Sequence, residues 1–182
     1  MLNPLQRCAR IGLMATALIL AGCASMTEEE CLTADWYERG VMDGRHGQPH
    51  DYLARHYEAC AKVGVVPEDG LYHKGRAIGI RQYCTPENGE RLGRQGSSYR
   101  NACPAELEGP FLERYRPAYR VYQAEQRVNT LNSNIQTKER ELDREKDEDK
   151  RRRLRREIRD LDDQLRRARN DLYHTERYLR RY

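Results

Sequence analysis

His46 and His50 stand four residues apart with Asp43 and Asp51 close by, a spacing that on one helix face lets two imidazoles share a metal ion. Gly47 and Pro49 lie between them and break the helix that this geometry needs. No Glu stands where a zinc protease holds its base, so both read as loop histidines at the surface and no metal site is assigned. Ser97 and Ser98 follow Gly96, yet Gly-Gln-Gly-Ser-Ser is not the Gly-x-Ser-x-Gly elbow of a serine hydrolase. The glycine intervals also miss the dinucleotide fingerprint and the phosphate loop. Asp43 has the chemistry for glycan hydrolysis, but nothing selects the second carboxylate that such a mechanism needs. Arg76, between Gly75 and Gly79, reads as a buried ion-pair partner for Asp35 or Asp43, and His56 and His73 as interhelical or exposed. No catalytic residue and no cofactor follow from these residues, and an enzyme is not expected.

The cysteines carry more. Residues 11–21 are uncharged and mostly apolar, Arg7 and Arg10 precede them, and Leu20-Ala21-Gly22-Cys23 follows. A basic start, a short apolar run and small residues before a cut make a signal peptide over residues 1–22, far short of the roughly 20 apolar residues of a spanning helix. The last four residues resemble the lipobox of bacterial lipoproteins, which implies that Cys23 is the lipidated residue, carrying acyl chains such as palmitate, and that the segment before it is removed. Position 24 is Ala rather than the Asp that retains many such proteins in the inner membrane. The resemblance therefore implies a lipid anchor in the outer membrane, with the body facing the periplasm.

Cys8 leaves with the signal, so Cys31, Cys60, Cys84 and Cys103 remain. Four cysteines in an oxidising compartment read as two disulfides. Of three pairings, Cys31–Cys60 with Cys84–Cys103 closes the shortest loops and is expected, each bond stabilising the fold by about 2–4 kcal/mol through the unfolded state. A four-thiolate zinc site is disfavoured, because no pair has the Cys-x-x-Cys type of spacing.

Composition divides the mature chain. Residues 23–30 form a short polar tether. Residues 31–116 hold glycines, tyrosines and the four cysteines, whereas from residue 111 onward there is no glycine and one proline, Pro117. The first region reads as short helices separated by turns: a helix start at residues 33–36 with Thr33 or Asp35 as cap, a helix over 52–61, and another over 71–83, with turns at Pro67-Glu68-Asp69-Gly70 and Pro86-Glu87-Asn88-Gly89. Strand-like alternation is nearly absent, so the expected class is all-α. Glycine-aromatic units recur: Trp36…Gly40…Asp43-Gly44…Gly47, then Tyr72…Gly75-Arg76…Gly79…Tyr83-Cys84, then Asn88-Gly89…Gly93…Gly96…Tyr99, then Phe111…Tyr115. Intervals of three and four put these glycines along helix stripes. Glycine costs about 1 kcal/mol in a helix, so its repetition predicts close backbone approach between packed segments. Twelve tyrosines against one phenylalanine suit either a core whose hydroxyls bond backbone or a glycan-facing platform.

With Cys31, Cys60 and Cys103-Pro104, this ordered series resembles the bacterial lipoprotein family catalogued as domain of unknown function 2799, over roughly residues 31–122. The resemblance implies a location and a disulfide-like cysteine pattern, and no activity.

Residues 117–182 are a charged helical region. Val121, Val128, Leu131, Ile135 and Leu142 make one heptad seam, and Leu154, Ile158, Leu161, Leu165, Ala168, Leu172 and Leu179 another. The two are out of phase across the polar stretch 143–153. Residues 123–149 carry five basic and eight acidic groups, whereas 150–182 carry thirteen and six, so two arms would attract. An antiparallel hairpin turning near 146–150, capped by Asp147 or Asp149, is expected; a single long coiled-coil helix pairing with a second copy is the alternative. The basic run 150–156 reads as a solvated helix face or a contact for the acidic arm or anionic lipid, not as a nucleic-acid site. The expected role is a structural or interaction module of the cell envelope, with an envelope protein or peptidoglycan as partner. A glycan-binding or cell-wall-active enzyme accessory is the alternative.

Overall fold

The structure, a computed structural model, describes residues 25–181. The signal peptide and Cys23 lie outside the described residues. Seven α-helices follow in order, with no strand among the described residues: α1 Glu28–Leu32, α2 Trp36–Arg45, α3 Leu53–Cys60, α4 Asp69–Tyr83, α5 Pro86–Arg94, α6 Ala105–Arg144 and α7 Glu148–Leu179. The all-α class is as expected, and the glycine stripes explain how it is built.

Helix α2 packs on α4 with backbones in contact. A Cβ on Gly44 would stand 2.6 Å from the Arg76 carbonyl oxygen, one on Gly40 would overlap the Tyr72 carbonyl, and reciprocally Gly75 and Gly79 lie against the Tyr37 and Val41 carbonyls. Gly40 faces Tyr72 and Arg76 while Gly44 faces Arg76 and Ile80, so the two helices run in the same direction. Helix α5 packs on α6 in the same way, Gly89 on the Phe111 carbonyl at 2.5 Å and Gly93 on that of Tyr115 at 2.5 Å.

These two parallel pairs are copies of one plan. Gly40, Gly44 and Gly47 recur as Gly89, Gly93 and Gly96 at the same intervals. Asp35 caps α2 by accepting from the Glu38 N–H, and Thr85 caps α5 by accepting from the Asn88 N–H. Gly47 and Gly96 both take positive φ, +61° and +69°, and end their helices alike: the Gln48 N–H donates to the Asp43 carbonyl, and the Ser97 N–H to that of Leu92. This is the left-handed helix stop for which glycine is suited. Each of these glycines lies under a tyrosine ring, Tyr83 in the first unit and Tyr122 in the second. A disulfide joins the chain ahead of the first helix to the chain ahead of the second in each unit, Cys31–Cys60 and Cys84–Cys103. The expected pairing is therefore the observed one, and the thiolate zinc alternative falls with it.

Three expectations are corrected. Pro86-Glu87-Asn88-Gly89 is not a turn but the first turn of α5, since proline suits the first helical position behind a Thr85 cap. The domain boundary at 116/117 falls inside α6. Pro117 removes one hydrogen bond, but α6 continues through it, packed against α5 on one side and Leu179 on the other. Residues 25–30 are not a free tether: Met26 is 3% exposed in the core with Trp36, Leu53 and Tyr72, and Thr27 and Glu30 form a reciprocal capping box on α1.

The hairpin is as expected. Helices α6 and α7 pack antiparallel through Leu131, Ile135, Leu165 and Ala168, with Ala118, Val121 and Leu179 closing the open end against the head. The turn needs no glycine, because Glu145 ends α6 in extended conformation (φ −76°, ψ 132°) rather than left-handed. Asp147 accepts from the Lys150 N–H, and Arg151 donates to the Leu142 and Glu145 carbonyls that α6 leaves open. The basic run pairs locally, Lys150 with Glu145, Arg151 with Glu148 and Arg152 with Asp149.

Candidate functional site

Among the described residues, three charged or polar side chains are buried in the core, Asp43, His56 and Arg76, all in the first unit. Asp43 sits on α2 one residue before Gly44, on the face that the glycines press against α4. His56 comes from α3, where Leu53, His56 and Cys60 fall on one inward face. The His56 Nε2–H donates to the Asp43 carboxylate at 2.7 Å, and the Tyr72 hydroxyl donates to the same oxygen at 2.9 Å. The other ring nitrogen, Nδ1, is hydrogen-bonded with the Ser25 hydroxyl, 2.8 Å away. His56 is wholly buried, edge-on to Tyr52 and Tyr72. The chain Ser25–His56–Asp43–Tyr72 thus reaches from the beginning of the described residues to the centre of the helix pair.

Arg76 was expected to pair with Asp35 or Asp43; it does neither by direct contact. Its Nη2 donates to the Gln48 carbonyl at 2.8 Å and to the Ala102 carbonyl at 3.2 Å, which stitches the first unit to the chain beside Cys103 in the second. Burial lowers the Arg76 guanidinium's affinity for its proton, and the nearby Tyr72 and Asp43 oppose that. Burial pushes the Tyr72 phenol far above its ordinary range, and the charge and hydrogen bond of Asp43 add to it. Burial likewise raises Tyr83, and takes Tyr99 up to about 12.

The sign of these shifts sets a stability window. The folded chain keeps phenol protons that the unfolded chain releases near pH 10, so stability is intact below that pH and falls as pH rises through it toward the folded values. The denaturant midpoint is expected to decline steadily above about pH 10, with tyrosinate absorbance lagging behind that of the unfolded chain, and Tyr72→Phe should flatten the decline. A midpoint independent of pH in that range would count against the buried network.

The second unit has the same positions filled differently. Where the first has Asp43, Tyr72 and Arg76, the matching positions beside Gly93 and along α6 are Leu92, Phe111 and Tyr115. His56 lies four residues before Cys60, and Tyr99 four before Cys103, where its ring packs on Phe111. The Tyr115 hydroxyl donates to the Ser97 carbonyl and the Tyr99 hydroxyl to Glu108, so the helix pair also forms around an aromatic centre with hydrogen bonds of its own, and the buried carboxylate–imidazole pair is a feature of the first unit and not of the second.

The other sequence candidates are dispersed. His46 caps the end of α2 at the surface, and His50 begins a 3₁₀ turn and stacks on His73 at 5.3 Å. Ser97 and Ser98 lie in the loop after α5. Among the described residues, no group of three or more His, Cys, Asp or Glu side chains is placed to hold a metal ion. Sequence reasoning missed the role of His56 and the packing of residues 25–30. Two signals point to them: the 53, 56, 60 spacing of the inward face, and the Thr27-x-x-Glu30 box. A cavity of about 260 Å³ opens beside Arg76, lined also by His50, His73, Arg81 and Glu106 at the start of α6, where Pro104 gives no side-chain cap. Arg76 Nε has no partner there among the described residues.

Residues 35–120 match the family described as Protein of unknown function (DUF2799). The resemblance read from the ordered motifs is thereby met over a stretch that begins at α2 and stops within α6, leaving out α7 and most of the hairpin. No curated protein and no solved structure is significantly similar to the chain.

Proposed function

We propose that this protein is a lipoprotein of the bacterial outer membrane, anchored through Cys23 and facing the periplasm, and that it serves as a structural or interaction module of the envelope. The observation that carries the reading is the pair of disulfides Cys31–Cys60 and Cys84–Cys103, one in each unit. Such bonds persist in oxidising compartments, the periplasm among them, and agree with the signal and lipobox pattern that ends at Cys23. The rigid two-unit head and the projecting charged hairpin suit a spacer or docking element. Cys23→Ala is expected to leave an unprocessed or released protein, because one short apolar segment does not anchor stably and acyl chains contribute about 0.8 kcal/mol per buried methylene. Cell fractionation with mass analysis of the N-terminus checks this. A processed variant that still sediments with membranes at high salt would overturn the anchor.

A glycan-binding role is the second reading, favoured by the cavity beside Arg76. Two arginines and two histidines around one glutamate suit a carboxylate, as on the peptide stems of peptidoglycan. Incubating the soluble mature domain with purified peptidoglycan separates the readings. Sedimentation that Arg81→Glu abolishes supports binding, product release supports an enzyme, and neither leaves the structural module.

A further inference from the structure

The buried carboxylate and imidazole of the first unit, Asp43 and His56, are replaced in the second by Leu92 and Tyr99, so helix pairing does not account for them. What the first unit holds and the second does not is the segment leading from Cys23. Three consecutive residues of that segment are each fixed by a different contact: the Ser25 hydroxyl on His56, the Met26 side chain within the core, and Thr27 in the capping box of α1. Just behind them, Cys31 is bonded to Cys60, four residues from His56 on the same helix.

We propose that Ser25, His56 and Asp43 form a clasp that fastens the anchor segment to the head, so that the first unit lies flush on the phospholipid headgroups rather than hanging from a tether. The inference rests on the lipid-anchor reading above. Two residues of extended chain reach no more than about 7 Å, so a Cys23 held at the headgroups by its acyl chains keeps Ser25 among them. Ser25 in turn is hydrogen-bonded to a histidine that has no exposed surface. A head fixed at its first residues has a fixed orientation, and the hairpin rooted in it through Leu179, Ala118 and Val121 points in one direction from the membrane. The partner surface is the bilayer itself. The acidic first turn of α1, Glu28 to Glu30, makes the contact one of tethering and not of charge attraction to anionic lipid.

The chain supplies its own probe. Trp36 is the one tryptophan, and it packs in the core cluster with Met26. The full mature, lipidated protein is reconstituted into phosphatidylcholine vesicles containing a dansyl-headgroup phospholipid, and energy transfer from Trp36 is measured. Transfer falls with the sixth power of distance, so a flush head gives strong quenching of Trp36. A ten-residue Gly/Ser segment inserted between Ala24 and Ser25, with ends about 17 Å apart on average, is expected to reduce transfer several-fold. Replacing the clasp by the residues of the second unit (Asp43→Leu, His56→Tyr and Tyr72→Phe together) should retain helicity and both disulfides while speeding hydrogen exchange of the amides of residues 25–30. Weak transfer in the unmodified protein, or strong transfer unchanged by the insertion, overturns the clasp, as does unaltered exchange in the triple variant. Protein that fails to float with the vesicles overturns the lipid anchor itself, and the clasp falls with it for that separate reason.

Discussion

Gly75→Ala is expected to destabilise the head by about 3 kcal/mol or more, at the upper end of overpacking effects, with the denaturant midpoint as the measurement. The added methyl would occupy the place of the Tyr37 carbonyl oxygen, with the Val41 nitrogen 3.1 Å away, and neither is the end of a side chain that can swing aside. Relief requires the parallel helices α2 and α4 to part, which also withdraws Gly79 from the Val41 carbonyl and Gly40 from that of Tyr72. Gly70→Ala is the matched control. It makes the same chemical change in the first turn of α4, with nothing outside its own helix and chain neighbours within 4 Å of the new methyl, so helix propensity alone applies and a gain of up to about 1 kcal/mol is expected. Two Gly→Ala changes of opposite sign separate backbone approach from intrinsic propensity. If Gly75→Ala is neutral, the two helices are not in backbone contact.

The second large effect concerns the buried network. His56→Phe is expected to cost about 3–5 kcal/mol, because it leaves the Asp43 carboxylate buried with Tyr72 as its remaining hydrogen-bond donor. Asp43→Leu, His56→Tyr and Tyr72→Phe together, which copy Leu92, Tyr99 and Phe111, should recover most of that loss. Buried ion-dipole networks replaced by apolar groups of similar volume are often neutral in stability. The three positions are in contact, so the single and triple changes will not add, and that non-additivity is the measured quantity. A triple variant as unstable as His56→Phe would mean that the first unit needs its polar centre in order to fold. A recovered one leaves the network free to serve the anchor segment.

Much of this was legible along the chain. Asp35 and Asp147, each read as one of two candidate caps, and both heptad seams came from local order, because caps and apolar stripes concern residues within a turn or two of one another. The shortest-loop pairing of the cysteines was right for a related reason, since each bond closes its loop around the first helix of one pair. The misreadings came where local signals compete. Pro86 to Gly89 has the composition of a turn, and the Thr85 cap ahead of it decides for a helix. Pro117 and the end of glycine usage mark a change of neighbours, not of helix, because α5 covers α6 only on its first half.

The duplication of the helix pair stayed hidden for a physical reason as well. Its glycine intervals repeat, but the loop joining the helices differs, residues 46–68 in the first unit and 95–104 in the second, and the facing side chains change from polar to aromatic. No constant period survives in the sequence. What the sequence by itself determined is which side of each helix is glycine, apolar or charged, and which cysteines stand near enough to join. The tertiary structure alone decided that the glycine stripes meet in parallel and that Ser25, Asp43, His56 and Tyr72, from four separate segments, share one set of hydrogen bonds. A helix period records which face is to be covered and says nothing of what covers it. That choice is made by long-range contacts, and it is there that the network of Ser25, His56, Asp43 and Tyr72 was assembled.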